Sequence, residues 1–310
     1  MAVDPLRVGV IGTGALGRHH VRIFSSLPGV ELVGIHDADP VVARRVGEQH
    51  GARVFDAFDD LGAAIDAAVL AVPTVEHARL GRELLDRGVH LMVEKPIAAS
   101  LEEADALIEA AKRRGRVLVV GHVEFFNPAV QRLLETETTV RFAEVQRLGV
   151  FSPRSLDIDV ILDLMIHDLQ ILHALDASPV AEIRATGIHV LSDKVDIANV
   201  RLELESGMVA NLTASRVSSE KVRKLRLFMP DCYYSLDYQE QELKGYRLAR
   251  DGDARRIERA DLDVEPSEPL LREGQAFAAR CRGEAVPVVT GEEGRRALET
   301  ALAVMDALKG

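Results

Sequence analysis

Tryptophan is absent from this 310-residue chain, and phenylalanine with tyrosine brings the aromatic share to only 4%. That leaves no stacking platform of the kind that holds single-stranded nucleic acid. Cysteine is scarce too. Cys232 and Cys281 lie far apart, form no metal or redox spacing, and suit a reducing cytoplasm. No apolar run approaches the ~20 residues of a membrane helix. Residues 1–6 carry neither a basic n-region nor an apolar h-region, so no signal peptide is expected and the expected location is cytoplasmic. Positive charge is in deficit: 38 Lys and Arg stand against 49 Asp and Glu, for a net charge of −11. This argues against nucleic acid or an anionic membrane as partner. An anionic small molecule stays open, because a few local cations reverse the field inside a cleft.

What is present reads as an ordinary globular chain, 47% hydrophobic and 28% charged, long enough for two domains. Residues 1–122 alternate short β-branched runs (7–11, 31–36, 68–72, 90–94, 117–121) with amphipathic stretches (15–27, 40–50, 75–87, 101–114). This rhythm predicts a doubly wound parallel sheet, whose ligands bind beyond the carboxyl ends of the strands. Ser100 and Glu103 form a capping box before the last of those helices. From residue 123 the rhythm changes. A short helix (128–134), a strand (140–148), a long apolar helix (160–175) and successive strands over 180–260 predict an α+β domain, 123–310, on a mostly antiparallel open sheet. Two helices, 270–282 and 292–308, close the chain.

The segment Gly12-Thr13-Gly14-Ala15-Leu16-Gly17 follows the first β-branched run and opens a helical stretch. In that setting a G-x-G-x-x-G pattern predicts a dinucleotide site. Gly12 permits the tight turn, Gly14 lets backbone approach a pyrophosphate, and Gly17 lets helix pack closely, with phosphates on the helix N-terminal amides. Asp37, twenty residues beyond Gly17, ends the second predicted strand. A carboxylate there accepts the adenosine ribose hydroxyls and repels a 2′-phosphate. With Ala38 next and no arginine beside it, NAD is favoured over NADP. The alternative duty, capping the next helix, fits Asp39 better, because Pro40 follows it.

Pro73 and Thr74 leave the strand at 68–72, where Thr74 is either a helix cap or a polar wall for the cofactor. His77 either approaches the nicotinamide ribose or is a surface histidine. Glu94-Lys95-Pro96 ends the strand at 90–94. An ammonium at that edge can hydrogen-bond a substrate hydroxyl and stabilise a developing alkoxide. The alternative is a snorkelling lysine. In the long apolar helix, Asp163 and His167 are spaced i and i+4, so they share a face. A histidine beside a carboxylate is an ordinary general base, whereas a lone one is more often a core residue. Asp168 points elsewhere and is solvated or structural. Asp157, Asp159, Asp163, His167 and Asp168 do not suggest a metal site, since no further histidines and acids on other helices accompany them.

Taken together, the glycine turn, Val72-Pro73-Thr74 with His77, Glu94-Lys95-Pro96, and Asp163 four residues before His167 resemble the Gfo/Idh/MocA family of NAD(P)-dependent sugar and cyclitol oxidoreductases. The pieces occur in family order along essentially the whole chain, and Glu-Lys-Pro is the most specific. The resemblance implies a Rossmann domain followed by a sheet domain that forms homodimers or homotetramers. It also implies catalytic positions for Lys95, Asp163 and His167. Gly121-His122-Val123-Glu124-Phe125-Phe126-Asn127-Pro128 and Phe151-Ser152-Pro153-Arg154 look like the branch acting on nucleotide-activated amino sugars such as UDP-N-acetylglucosamine, oxidised at C3. One departure is Phe125, where relatives often carry arginine. Arg154 either pairs a substrate diphosphate oxygen or is a surface loop residue. Other activities open to such a chain are a cyclitol or free-sugar dehydrogenase, an NAD-dependent glycosidase, and a non-catalytic NAD-binding regulator.

Overall fold

The computed structural model describes residues 4–136, 139–151, 158–251 and 254–309. It divides into two compact units, Met1–Val123 with Glu268–Arg295, and Glu124–Ser267 with Arg296–Gly310.

In the first unit, β1 (Leu6–Ile11), α1 (Gly17–Phe24), β2 (Val30–His36), α2 (Pro40–His50), α3 (Phe58–Ala64), β3 (Ala67–Leu70), α4 (His77–Asp86), β4 (His90–Glu94), α5 (Leu101–Arg114) and β5 (Leu118–Gly121) follow in turn. The sheet runs β2-β1-β3-β4-β5, all parallel. Its strands are buried on both faces, as a parallel sheet requires, with Val8, Val10, Val69, Leu70, Leu91 and Val93 at the centre. The order β2-β1-β3 starts at β1, passes outward to β2 and returns on the other side to β3. The carboxyl ends of β1 and β3 therefore flank the point where strand order reverses.

Local signals place the helices. Asp39 accepts from Val41 N and Val42 N and caps α2, with Pro40 in the first turn. Ser100 caps α5 through Glu103 N, but the Glu103 carboxylate reaches back to Ala99 N rather than to Ser100. The short helix α3 was not expected from the sequence. Its seven residues are too few to show a helical period and carry no side-chain cap.

In the second unit come α6 (Pro128–Leu134), β6 (Phe142–Val150), α7 (Ile166–Leu175), β7 (Val180–Ile188), β8 (Ile197–Leu204), β9 (Val209–Ser218), β10 (Val222–Phe228), β11 (Cys232–Asp237), β12 (Glu242–Asp251) and β13 (Ala254–Asp261). Eight strands form one sheet, β13-β12-β11-β10-β6-β9-β8-β7, antiparallel except for the β6/β9 pair. Gly207, at φ +83°, closes the β8–β9 hairpin. Alternation along β8 and β9 sends Ala198, Val200, Leu202, Ala210 and Leu212 into a core shared with Met165, Ile166 and Leu169.

The final helices, α8 (Pro269–Cys281) and α9 (Gly291–Ala307), follow. A single boundary after residue 122 misses the return of Glu268–Arg295 to the first unit. Packing is the reason: Phe277 meets Phe24 edge to face at 6.5 Å, and a Cβ on Gly274 would sit 3.0 Å from Ile23 Cγ2. No helix among the described residues is long and apolar enough to cross a membrane.

Candidate active site

At the carboxyl end of β1 the chain turns through Gly12, whose φ of +82° is the left-handed region, and whose Cβ would lie 2.4 Å from Ala71 O. Only glycine fits there. Gly17 is equally constrained, since a Cβ would fall 1.8 Å from Gly12 O. Gly14 differs. Nothing lies within 4 Å of its missing Cβ, and Gly14, Ala15 and Leu16 are exposed. Two glycines thus fold the turn and the third leaves backbone open for a ligand to approach, at the N-terminus of α1, where amides and dipole favour an anion. The group that fits such a cradle is a pyrophosphate.

Asp37 is tied into the same turn. Its Oδ2 accepts from Thr13 N at 2.6 Å and from Thr13 Oγ1 at 3.0 Å, while Oδ1 accepts from Asp39 N at 2.9 Å. Thr13 is buried and Asp37 half-buried. Each carboxylate oxygen keeps further acceptor capacity, so this anchoring is compatible with accepting ribose hydroxyls.

Beyond β3, Thr74 begins a short 3₁₀ turn, Thr74–Glu76, and is half-buried. It caps nothing, because neither that turn nor α4 has a side-chain cap. His77 is no surface residue: it is 1% exposed. Nδ1 lies 3.0 Å from Pro96 O and Nε2 lies 3.0 Å from Val72 O. The ring therefore braces the end of β3 against the loop after Lys95. Burial lowers its pKa, against the pull of those two carbonyls.

Glu94 also turns inward. Its Oε1 lies in hydrogen-bond contact with His20 Nε2 at 2.6 Å, and its Oε2 accepts from Lys95 N at 3.3 Å. Gly121 makes the space, because a Cβ there would lie 2.9 Å from Glu94 Cδ. Lys95 is half-buried at this strand end. Nearby, His122 is fully buried, and burial first, the Lys95 charge second, push its pKa down to about 3. A neutral imidazole thus accompanies the ammonium. His20 and Glu273 escaped the sequence reading, and His122 entered it only as part of the Gly121–Pro128 segment, with no role of its own. Only His20 offered a local signal, three residues after Gly17 on the new helix.

In the second unit, residues Ile161–Met165 are wound as a π helix that continues into α7. Such turns are uncommon and frequent at functional sites. Asp163 lies inside this turn and His167 on the first turn of α7, both half-buried. Asp168 is buried and paired in two parallel hydrogen bonds with Arg147, so it is structural and not solvated. Arg147 also donates to Glu124, which accepts from Arg223 at 3.0 Å, and lies 4.9 Å from the Tyr238 ring centroid. Asp159 accepts from Val195 N at 2.9 Å and serves the local backbone. Phe125 is buried, edge to face with Phe126 at 5.2 Å, an apolar packing role. Arg154 and Asp157 lie outside the described residues.

A parallel sheet with an open glycine turn over its reversal point, and an acid at the tip of the next strand, defines a nucleotide-binding Rossmann oxidoreductase fold. Residues 6–122 match the family model described as "Oxidoreductase family, NAD-binding Rossmann fold". The chain is 36% identical over 307 residues, 98% of its length and 97% of the other, to UDP-N-acetylglucosamine 3-dehydrogenase of Acidithiobacillus ferrooxidans. The solved structure of that enzyme superposes with a TM-score of 0.91 and 37% identity over 99% of both chains. Scyllo-inositol 2-dehydrogenase (NAD(+)) of Bacillus subtilis is 27% identical over 69% of this chain and 68% of its own. GenD2 from gentamicin A biosynthesis, solved in complex with NAD, shares the fold at 20% identity, with a TM-score of 0.83 over 100% of this chain and 95% of that one. The chain belongs to the Gfo/Idh/MocA family of NAD-binding oxidoreductases.

Proposed function

We propose that the protein oxidises the C3 hydroxyl of a nucleotide-activated amino sugar, UDP-N-acetylglucosamine, to a ketone. The observation that carries this reading is the 36% identity, over nearly the whole of both chains, to an enzyme named for that reaction. Inositol dehydrogenases match less of the chain at lower or similar identity, 27% over 69% in the Bacillus enzyme.

NAD, when bound, supplies the hydride acceptor. The backbone of Gly12, Thr13, Gly14, Ala15 and Leu16 receives the pyrophosphate, and Asp37 accepts the ribose hydroxyls. Pro73, Thr74 and Glu94 complete the cofactor side, with His77 holding the Lys95-Pro96 loop in place. Lys95 donates a hydrogen bond to the substrate oxygen as charge develops on it. His167 takes the hydroxyl proton, and Asp163 orients the imidazole and balances the positive charge it acquires. Arg154 pairs a diphosphate oxygen. The first unit, Met1–Val123 with Glu268–Arg295, serves the cofactor; the second, Glu124–Ser267 with Arg296–Gly310, serves the substrate and self-assembly into a homodimer or homotetramer. The reading places the enzyme in the cytoplasm, in keeping with the unbridged thiols of Cys232 and Cys281.

The test is a panel of nucleotide sugars and free cyclitols followed by NADH absorbance. Reduction of NAD with UDP-N-acetylglucosamine is the expected result. Turnover of inositol with none on any nucleotide sugar overturns the substrate, and light scattering reads the assembly.

A further inference from the structure

One buried side chain of the first unit has no duty in the mechanism above. Glu273, on α8, is 0% exposed, and neither carboxyl oxygen has a hydrogen-bond partner within the protein. A Glu273 oxygen, a Glu94 oxygen and a His20 ring nitrogen all lie within 4.8 Å of one another. We infer that Glu273 is a positioning residue: a neutral carboxylic acid that, with His20, holds the Glu94 carboxylate in place beneath Lys95. This rests on the catalytic reading of Lys95.

Charge and geometry argue for it together. His20 Nε2 faces Glu94 Oε1 at 2.6 Å, and an N–H on that nitrogen gives the Glu94 carboxylate a donor. Glu94 also accepts from Lys95 N through its other oxygen. A second carboxylate within 4.8 Å, fully buried, repels the first. Burial, then the Glu94 charge, hold Glu273 well above the ordinary carboxylate range. A protonated Glu273 instead brings an O–H, the donor that a crowded carboxylate can use directly or through one bridging water.

Other titratable and charged groups stand on the elements around it. From α1 come His20 and Arg22, the latter paired with Glu268 at the surface. From β4 comes Glu94, whose Oε2 accepts from Lys95 N. After β5, His122 stays neutral beside Lys95. The rest of the contact is apolar, with Phe24 against Phe277 and Ile23 against Gly274. Three elements, α1, α8 and β4, thus converge on one carboxylate, whose other oxygen holds the amide of Lys95. Its place is set by tertiary packing and not by the loop alone.

Two measurements test this on the full-length protein. Infrared difference spectra of wild type against Glu273→Gln at neutral pH are expected to show one protonated-carboxyl carbonyl band that the substitution removes. In turnover, Glu273→Leu is expected to lower kcat on the order of tenfold, and Glu273→Gln, a neutral donor of the same shape, to restore most of it. Thermal melts identify a Leu variant that fails to fold; the infrared result and the Gln variant then decide. No lost band, or equal kcat in the Leu variant, overturns the inference. So does stoichiometric metal in purified protein that disappears in Glu273→Gln, since His20, Glu94 and Glu273 would then be ligands. The infrared band reports on Glu273 whether or not any nucleotide sugar is oxidised. Failure of the substrate reading therefore leaves it standing, and its own failure leaves the dehydrogenase intact.

Discussion

Arg147 and Asp168 meet in the interior of the second unit through two parallel bonds, Nε to Oδ2 at 2.7 Å and Nη2 to Oδ1 at 2.8 Å. Both side chains are 2% exposed. Two ions out of water cost heavily unless each is fully paired, and the fork geometry of arginine supplies that pairing. The pair anchors β6 to α7 one residue from His167.

Removing one partner leaves buried charge uncompensated. Arg147→Met, which strands Asp168 and leaves Glu124 paired with Arg223 alone, is expected to lower unfolding stability by about 3–5 kcal/mol in urea titrations. Adding Asp168→Leu to it should recover part of that loss. A single variant within 1 kcal/mol of wild type, measured in the same way, contradicts the pairing argument.

Asp37 joins the glycine turn to the tip of β2. Asp37→Ala removes the acceptor of two Thr13 hydrogen bonds and the proposed ribose contact. We expect KM for NAD to rise on the order of ten- to a hundredfold and the preference for NAD over NADP to fall. Unchanged cofactor preference in initial-rate assays with both cofactors argues against the assignment.

Gly17→Ala tests the turn itself. A methyl group placed 1.8 Å from Gly12 O forces the backbone to move. NAD binding, followed by quenching of an added fluorescent nucleotide analogue or by calorimetry, should fall in both Gly17→Ala and Gly14→Ala, but only Gly17→Ala should also lower the melting temperature, because a Gly14 methyl meets no protein atom within 4 Å and intrudes on ligand space alone. Equal losses of thermal stability in the two variants, or unchanged NAD binding in Gly14→Ala, sink the division of roles among the glycines.

For the chemical step, Lys95→Ala should reduce kcat by ~10²-fold or more if the ammonium stabilises developing charge. His167→Ala should reduce kcat and flatten the limb of the pH–rate profile that reports the base. Wild-type turnover in His167→Ala, on a confirmed substrate, removes it as the base.

His122 gives a pH dependence of stability with a definite sign. Its folded pKa of about 3 lies below the ordinary 6.5. Between those values the unfolded chain binds the proton and the folded one does not. The contribution is therefore complete above about 6.5 and is lost as pH falls toward 3. A His122→Leu variant that still folds should lose stability less steeply over that interval. An identical slope in both proteins places the titration elsewhere.

Local patterns made much of this legible in the sequence. The glycine turn, the Asp39 cap, the helix across 160–175 and the hairpin at Gly207 are all written within a few residues, because turn geometry, capping and periodicity act at short range. The buried networks were not. His20 and Glu94 are 74 residues apart, and Arg147 and Asp168 are 21. Nothing local distinguishes a buried glutamate such as Glu273 from a solvated one on an amphipathic helix. His77 illustrates the same limit, since an i+3 position after Thr74 gives no hint that two carbonyls enclose the ring.

The first unit is split in the chain: its opening portion ends at Val123 and its remainder, Glu268–Arg295, follows the body of the second. A ribosome releases the N-terminal portion long before the segment that covers its α1 face has been synthesised. During that interval Phe24 and Ile23 wait without Phe277 and Gly274, and Glu94 without Glu273. Nascent molecules therefore expose an apolar surface whose shielding arrives last, which makes translation speed and chaperone occupancy determinants of yield.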